Sequence, residues 1–138
     1  MAASIANGNG VNRQHGFTLL ELVVVVTVMV VLATLVVPLF QNVLQQAKEA
    51  ALKDTLFKMR DSIDKYTLDK EEAPQTLEDL VQAKYLREVP VDPITGRNDT
   101  WEVELEEQPT SRNGQRGIIN VYSGAEGVSS SGKPYREF

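Results

Sequence analysis

The sequence predicts an α+β fold in which one long N-terminal helix packs its second half on a small antiparallel β-sheet. Three patterns in the 138 residues carry that expectation. From Leu22 to Phe40 no residue is charged. From Leu52 to Tyr66 apolar residues recur at alternating spacings of four and three, the repeat of one helix face. From Trp101 to Glu106 apolar and acidic residues alternate, the period of a half-buried strand.

The first sixteen residues are small and polar, with Asn7-Gly8 and Asn9-Gly10 as turn signals and no periodicity. Arg13 and His15 stand just before the uncharged run, and positive charge there favours a cytoplasmic N-terminus. A bilayer core takes about 20 mostly apolar residues as a helix, so the run can span one. The mean hydropathy of −0.22 hides it, because the remainder of the chain is strongly polar. An ordinary secretory signal would have an apolar stretch of about 7–15 residues and a small-residue cut site. Here the run is longer and ends in Val36-Val37-Pro38-Leu39-Phe40, which disfavours that alternative.

Beyond Phe40 the pattern turns amphipathic. Leu52, Leu56, Met59, Ile63 and Tyr66 share one face, and the charged residues from Lys48 to Lys65 lie mostly on others. Ala47, Ala50 and Ala51 raise helix propensity, and the acidic stretch Asp69–Glu72 with Pro74 ends the pattern. One helix is thus predicted from Phe17 to Leu68, about 75 Å long at 1.5 Å per residue. A single small domain cannot bury such a length, so half of it must enter a membrane or other subunits. Pro38 lies inside and predicts a kink or local unwinding.

A short helix follows, with Thr76 as N-cap, Asp79 in the capping-box position, and Leu77, Leu80, Val81 and Tyr85 as its apolar side. Pro90, Asp92-Pro93 and Thr95-Gly96 punctuate a loop. The strand from Trp101 to Glu107 is predicted to turn Trp101, Val103 and Leu105 to the helix and Glu102, Glu104 and Glu106 to solvent. Residues 108–117 read as a loop and Gly117–Ser123 as the partner strand, with Ile119 and Val121 facing the helix. Gly124 to Phe138 is rich in glycine and serine and reads as irregular.

Composition excludes several functions. The net charge is −5 with no lysine or arginine cluster, so nucleic acid is not an expected partner. There is no cysteine, and the one histidine, His15, lies in the polar leader, so neither a thiolate nor a histidine-based site can form in the body of the chain. Gly127-Val-Ser-Ser-Ser-Gly132-Lys133 has most of a P-loop, but Pro134 stands where a serine or threonine must open a helix. No catalytic residue is assigned, and an enzyme is not expected.

The stretch Gly16-Phe17-Thr18-Leu19-Leu20-Glu21, running into the apolar segment, resembles the processing site of type IV prepilins and type II secretion pseudopilins. The resemblance implies cleavage by a membrane prepilin peptidase between Gly16 and Phe17, and N-methylation of Phe17. Counted from Phe17, Glu21 and Pro38 stand where that family has its glutamate and its proline, the residues it uses in subunit assembly. A carboxylate in a membrane helix costs about 2.5–3.5 kcal/mol at the centre and less near an end, so Glu21 needs a partner. The ammonium freed on Phe17 has the right sign, and Glu21 lies about 6 Å further along the helix. Shifting one subunit against the next would bring Glu21 to a neighbour's terminus. The alternative is that Glu21 merely sits at the headgroup level.

Further on, Thr76-Leu-Glu-Asp-Leu-Val, Tyr85-Leu, Val89-Pro90, Asp92-Pro93 and Thr95-Gly96 resemble the major pseudopilin of type II secretion systems. The resemblance implies a pilin-like fold with a leader over 1–16 that is removed, a transmembrane and assembly helix over 17–40, and a globular domain over 41–138. It implies a homo-polymer served by the prepilin peptidase, an assembly ATPase, a platform membrane protein and minor pseudopilins. The chain would sit in the bacterial inner membrane with a single pass and its C-terminal domain in the periplasm, before joining a filament. It also implies calcium in the C-terminal loop. Calcium takes six to eight oxygens, several of them anionic. Ser123 and Glu126 are the candidates here, and only Glu126 and Glu137 are acidic after Glu107. Two other functions fit the same residues: the major pilin of a surface type IV pilus, used for adhesion or motility, and a monomeric membrane-anchored binding module. The module would need neither the cut at Gly16 nor Glu21.

Overall fold

The computed structural model describes residues 2–3 and 16–138, which fall into two compact units, residues 1–38 and 39–138. Arg13 and His15, expected to set the orientation of the N-terminus, lie outside the described residues. In chain order the elements are α1 (Leu19–Lys70), α2 (Leu77–Gln82), β1 (Trp101–Leu105), β2 (Ile118–Ser123) and a 3-10 turn at Tyr135–Glu137. This is the α+β arrangement the sequence predicts, with the long helix within two residues of its expected ends.

Helix α1 starts behind Thr18, whose hydroxyl accepts from the Glu21 amide at 3.1 Å and whose carbonyl accepts from the Leu22 amide at 3.1 Å. It runs unbroken through Pro38, so the local unwinding expected there does not occur. Proline removes one backbone bond, and the turns on either side keep theirs. In the first unit the apolar side chains of α1 are exposed among the described residues; Val25 is 45% and Leu35 68% exposed. The hydroxyls of Thr27 and Thr34 turn back to the carbonyls of Val23 and Val31, at 2.7 Å each, so they add no unpaired polar group to this surface.

In the second unit Leu52, Leu56, Met59 and Ile63 of α1 meet Leu80 of α2, Ile118 and Val121 of β2, and Tyr135. Tyr66, Leu77, Tyr85 and Trp101 pack around them half-buried. Glu71, with φ of 58°, terminates α1 in the left-handed region. The capping box opening α2 is complete: Thr76 accepts from the Asp79 amide, and the Asp79 carboxylate accepts from the Thr76 amide.

The two strands pair antiparallel, Trp101 with Ser123 through Glu104 with Asn120, and then Leu105 pairs with Ile118. Ile119 is therefore an extra residue, a bulge that reverses the alternation beyond it. Three expectations change, the first of them because of the bulge. Ile118 enters the core at 2% exposure while Ile119 is left 46% exposed. Glu106, expected in solvent, is 8% exposed, and its carboxylate accepts from the Thr110 hydroxyl at 2.7 Å, the Thr110 amide at 3.2 Å and the Gly117 amide at 3.0 Å. Val103 and Leu105 remain 42% and 46% exposed, because the helix core meets β2 and the outer strand is only partly covered. The other two acids of the row are also engaged rather than merely solvated. Glu102 pairs with Arg136, and Glu104 accepts from the Tyr122 hydroxyl at 2.8 Å.

The outward edge of β2 is occupied. The Ile118 amide donates to the Pro74 carbonyl at 2.6 Å, the Val121 amide to the Asn120 side chain at 2.9 Å, and the Val121 carbonyl accepts from Arg60 at 2.9 Å. At the end of β2 the backbone passes close to its neighbour: a Cβ on Gly124 would stand 2.1 Å from the Thr100 carbonyl oxygen. Gly124→Ala should therefore force the strands apart and destabilise the domain by about 1–3 kcal/mol, the usual size of an overpacking penalty. Urea unfolding followed by Trp101 fluorescence measures it.

Candidate functional site

The residues implicated in processing form an open N-terminal segment. Gly16, Phe17 and Thr18 precede α1 without helical structure, and Phe17 is 83% exposed. A Cβ built on Gly16 meets nothing within 4 Å. Glu21 lies in the first turn of α1, where a carboxylate is favoured by the helix dipole. Among the described residues no group donates to its carboxylate. The spacing Thr18-x-x-Glu21 is that of a capping box, a local role the sequence also carries. Its hydroxyl half is formed. Pro38 lies inside the helix, at the end of the first unit.

In the second unit, Ser123 and Glu126 border one hollow together with Glu102 and Arg136. Ser123 is fully buried; its hydroxyl donates to Asp92 and accepts from the Ala125 amide at 3.1 Å. Asp92, also fully buried, accepts from the Ile94 amide at 2.8 Å as well, so this pair closes the 92–97 turn against the end of β2. Glu126 is exposed. Among the described residues no three histidine, aspartate or glutamate side chains gather where one ion could touch them. Ser123 and Glu126 do not make up the six to eight oxygens calcium takes. The donor set does not fit that ion.

Two functional-looking side chains escaped the sequence reading. Glu49 is buried on α1, and its carboxylate accepts from the Ser130 hydroxyl at 2.6 Å, the Ser130 amide at 2.8 Å, the Tyr135 hydroxyl at 3.2 Å and Gln45 at 3.3 Å. Arg60 donates to the carbonyls of Val121 at 2.9 Å and Phe138 at 2.6 Å. The signal was present: Glu49 precedes Leu52 by three, so it continues the buried stripe Leu52, Leu56, Met59, Ile63 with a charge.

The hydrogen bond from the Ser130 hydroxyl, opposed by burial and helped by the Ser130 amide, Gln45 and Tyr135, holds the Glu49 carboxyl below its ordinary 4.5. Burial pushes Glu106 up, but the Thr110 hydroxyl and the amides of Gly117 and Thr110 outweigh it and leave that carboxyl below 4.5 as well. Groups with lowered folded pKa stabilise the fold above their unfolded value, and that contribution is lost as pH falls through the folded one. The melting temperature of the second unit should therefore fall as pH drops below 4.5. Glu49→Gln, lower at neutral pH, should fall less steeply. Thermal melts across that range check it.

Residues 11–37 match the family model described as the prokaryotic N-terminal methylation motif. The type II secretion system core protein G of Klebsiella pneumoniae is 32% identical, over 86% of this chain and 90% of that protein. The protein of the same name from Dickeya chrysanthemi is 33% identical over 80% of this chain and 76% of its own length. That from Pseudomonas aeruginosa is 36% identical over 59% and 68%. No solved structure matches the chain.

Proposed function

The chain belongs to the family of type II secretion system core protein G, the major pseudopilins, and from that premise we propose that it is the structural subunit of a pilus-like secretion filament, polymerising through its apolar helix. One observation carries the reading: the exposed apolar part of α1, long enough to cross a membrane, holds a single carboxylate up to Phe40, one turn behind an open Gly16-Phe17 junction. Apolar surface of this extent is stable only against lipid or other apolar helices. The precursor is held in the inner membrane by 17–40, with the globular domain over 41–138 in the periplasm. Prepilin peptidase removes 1–16 and methylates Phe17. An assembly ATPase acting through a platform membrane protein, together with minor pseudopilins, then adds subunits to the homo-polymer. Glu21 pairs with the Phe17 ammonium of a neighbour, and Pro38 belongs to the same assembly segment. No catalytic step is assigned to the chain.

The test is intact mass and N-terminal sequencing of the protein from membranes that contain an active prepilin peptidase. A mature chain beginning at methylated Phe17 is expected. Gly16→Ala should leave most of the protein uncut. Because a Cβ at Gly16 touches nothing in the fold, such a loss reports recognition by the peptidase and not misfolding. A chain that keeps residues 1–16 in the presence of that enzyme would refute the reading and leave a membrane-anchored binding module as the account.

A further inference from the structure

The tail from Gly124 to Phe138 has one isolated bridge, Val128 with Pro134, and one 3-10 turn. So little regular structure needs something else to hold it down, and the family resemblance would supply a calcium ion. The donors for that ion do not fit. We propose instead that the tail is closed by side chains of the chain itself, Glu49 and Arg60 of α1 with the Glu102–Arg136 pair, so that the globular unit folds without a divalent cation.

The geometry supports this in the middle of the tail and at its end. Glu49 and Arg60 are eleven residues apart, three helical turns, and so point from one face of α1. Glu49 grips the middle of the tail through the amide and hydroxyl of Ser130, and its last turn through the hydroxyl of Tyr135. Arg60 grips its end through the Phe138 carbonyl, and the Val121 carbonyl of β2 is held by the same guanidinium. A carboxylate that accepts several short hydrogen bonds, and a guanidinium shared between two carbonyls, are the strong, charge-assisted kind.

At the start of the tail, the hollow bordered by Ser123 and Glu126 already has a cation on its wall. Arg136 lines it and is paired there with Glu102. A metal ion entering this hollow would face a like charge and compete for an acid that is already paired. The Ser123 hydroxyl is likewise committed to Asp92. More positive charge lies close by: the Lys53 ammonium is 4.8 Å, and that of Lys133 5.9 Å, from the centre of the Phe138 ring. Burial of a carboxylate and placement of cations thus do locally what an ion would do.

The experiment uses the full chain in detergent, wild type and variants, with EDTA or with calcium at millimolar concentration. Melting temperature and hydrogen–deuterium exchange of the tail amides are read in both. A ligand that binds only the folded state must raise the melting temperature. The expected result is the same melting curve and the same tail protection in both buffers. Glu49→Ala should speed exchange of the Ser130 amide by about tenfold or more, the mark of local opening, and calcium should not restore it. Glu49→Gln keeps the shape and one acceptor oxygen, and should give a smaller acceleration in the same direction should the alanine variant fail to fold. Glu126→Ala should change neither readout. The proposal is overturned by calcium raising the wild-type melting temperature, by slower tail exchange in calcium, by a loss of stability in Glu126→Ala, or by Glu49 variants whose tails stay as protected as the wild type.

Discussion

Glu21→Ala should abolish filaments while leaving the precursor in the membrane and still cut. Alanine is more at home in lipid than glutamate, so insertion is not at risk, and the Gly16-Phe17 junction lies outside the substitution. What disappears is the only charge between Phe17 and Phe40. In the proposed assembly that carboxylate meets the Phe17 ammonium of the neighbouring subunit in a setting with little water. Removing one partner of such a pair costs about 3–5 kcal/mol, because the other charge is left buried and alone. That corresponds to about a hundredfold or greater rise in the subunit concentration needed to extend a filament. Glu21→Gln should fail for the same reason, since an amide retains the shape but not the charge. The measurement is sheared-filament yield by electron microscopy and immunoblot, beside N-terminal sequencing of the membrane-bound pool. Normal filament yield from Glu21→Ala would leave Glu21 as a helix-capping residue near the headgroups, the local role its spacing from Thr18 allows.

Leu56→Ala should be the most damaging single change within the globular unit. Leu56 is 1% exposed, in the middle of the row Leu52, Leu56, Met59, Ile63 that meets Leu80, Ile118 and Val121. Leucine to alanine in such a position costs about 2–5 kcal/mol, depending on how far the surroundings collapse into the space. A domain has about 5–15 kcal/mol in total, so the variant loses a large part of it. The adjacent Phe57 provides the control. It is 72% exposed on the same helix, and Phe57→Ala should shift stability by about 0.5 kcal/mol or less. Urea unfolding of both variants, with equal slopes, separates the two outcomes. Similar losses for Leu56 and Phe57 would mean that the helix face meeting the sheet has been misassigned.

What could be read in the sequence was what local spacing determines. The long helix follows from one uncharged run and one amphipathic repeat, and both are properties of neighbouring residues. The hairpin follows from alternation in Trp101–Glu106 and from the apolar residues after Gly117. The Thr76 capping box was visible because its two partners are three residues apart. The bulge at Ile119 was not visible, because nothing in the strand itself announces an extra residue, and the exchange of Ile119 for Ile118 follows from it; the burial of Glu106 depends on Thr110 and Gly117 of the loop folding over it. The grip of Glu49 on Ser130 spans 81 residues and that of Arg60 on Phe138 spans 78. Such contacts exist only once the tail has folded back. A charge placed in step with a buried apolar row was the one trace they left. The N-terminal motif was legible for a different reason: its residues, Gly16 to Glu21, are contiguous, so its information is linear.

In the proposed filament, a subunit packed densely with copies of itself would run the risk of joining them in the wrong way. Open strand edges are templates for uncontrolled addition of further strands, the route to amyloid-like aggregates. On the far side of β2, Pro74, the Asn120 side chain and Arg60 already occupy the amides and the carbonyl that an incoming strand would need. At those positions the edge of the hairpin is closed to an incoming strand. Arg60 would thus help to separate two kinds of polymer: the proposed one, built by helices lying side by side, and one built by strands, which these contacts obstruct.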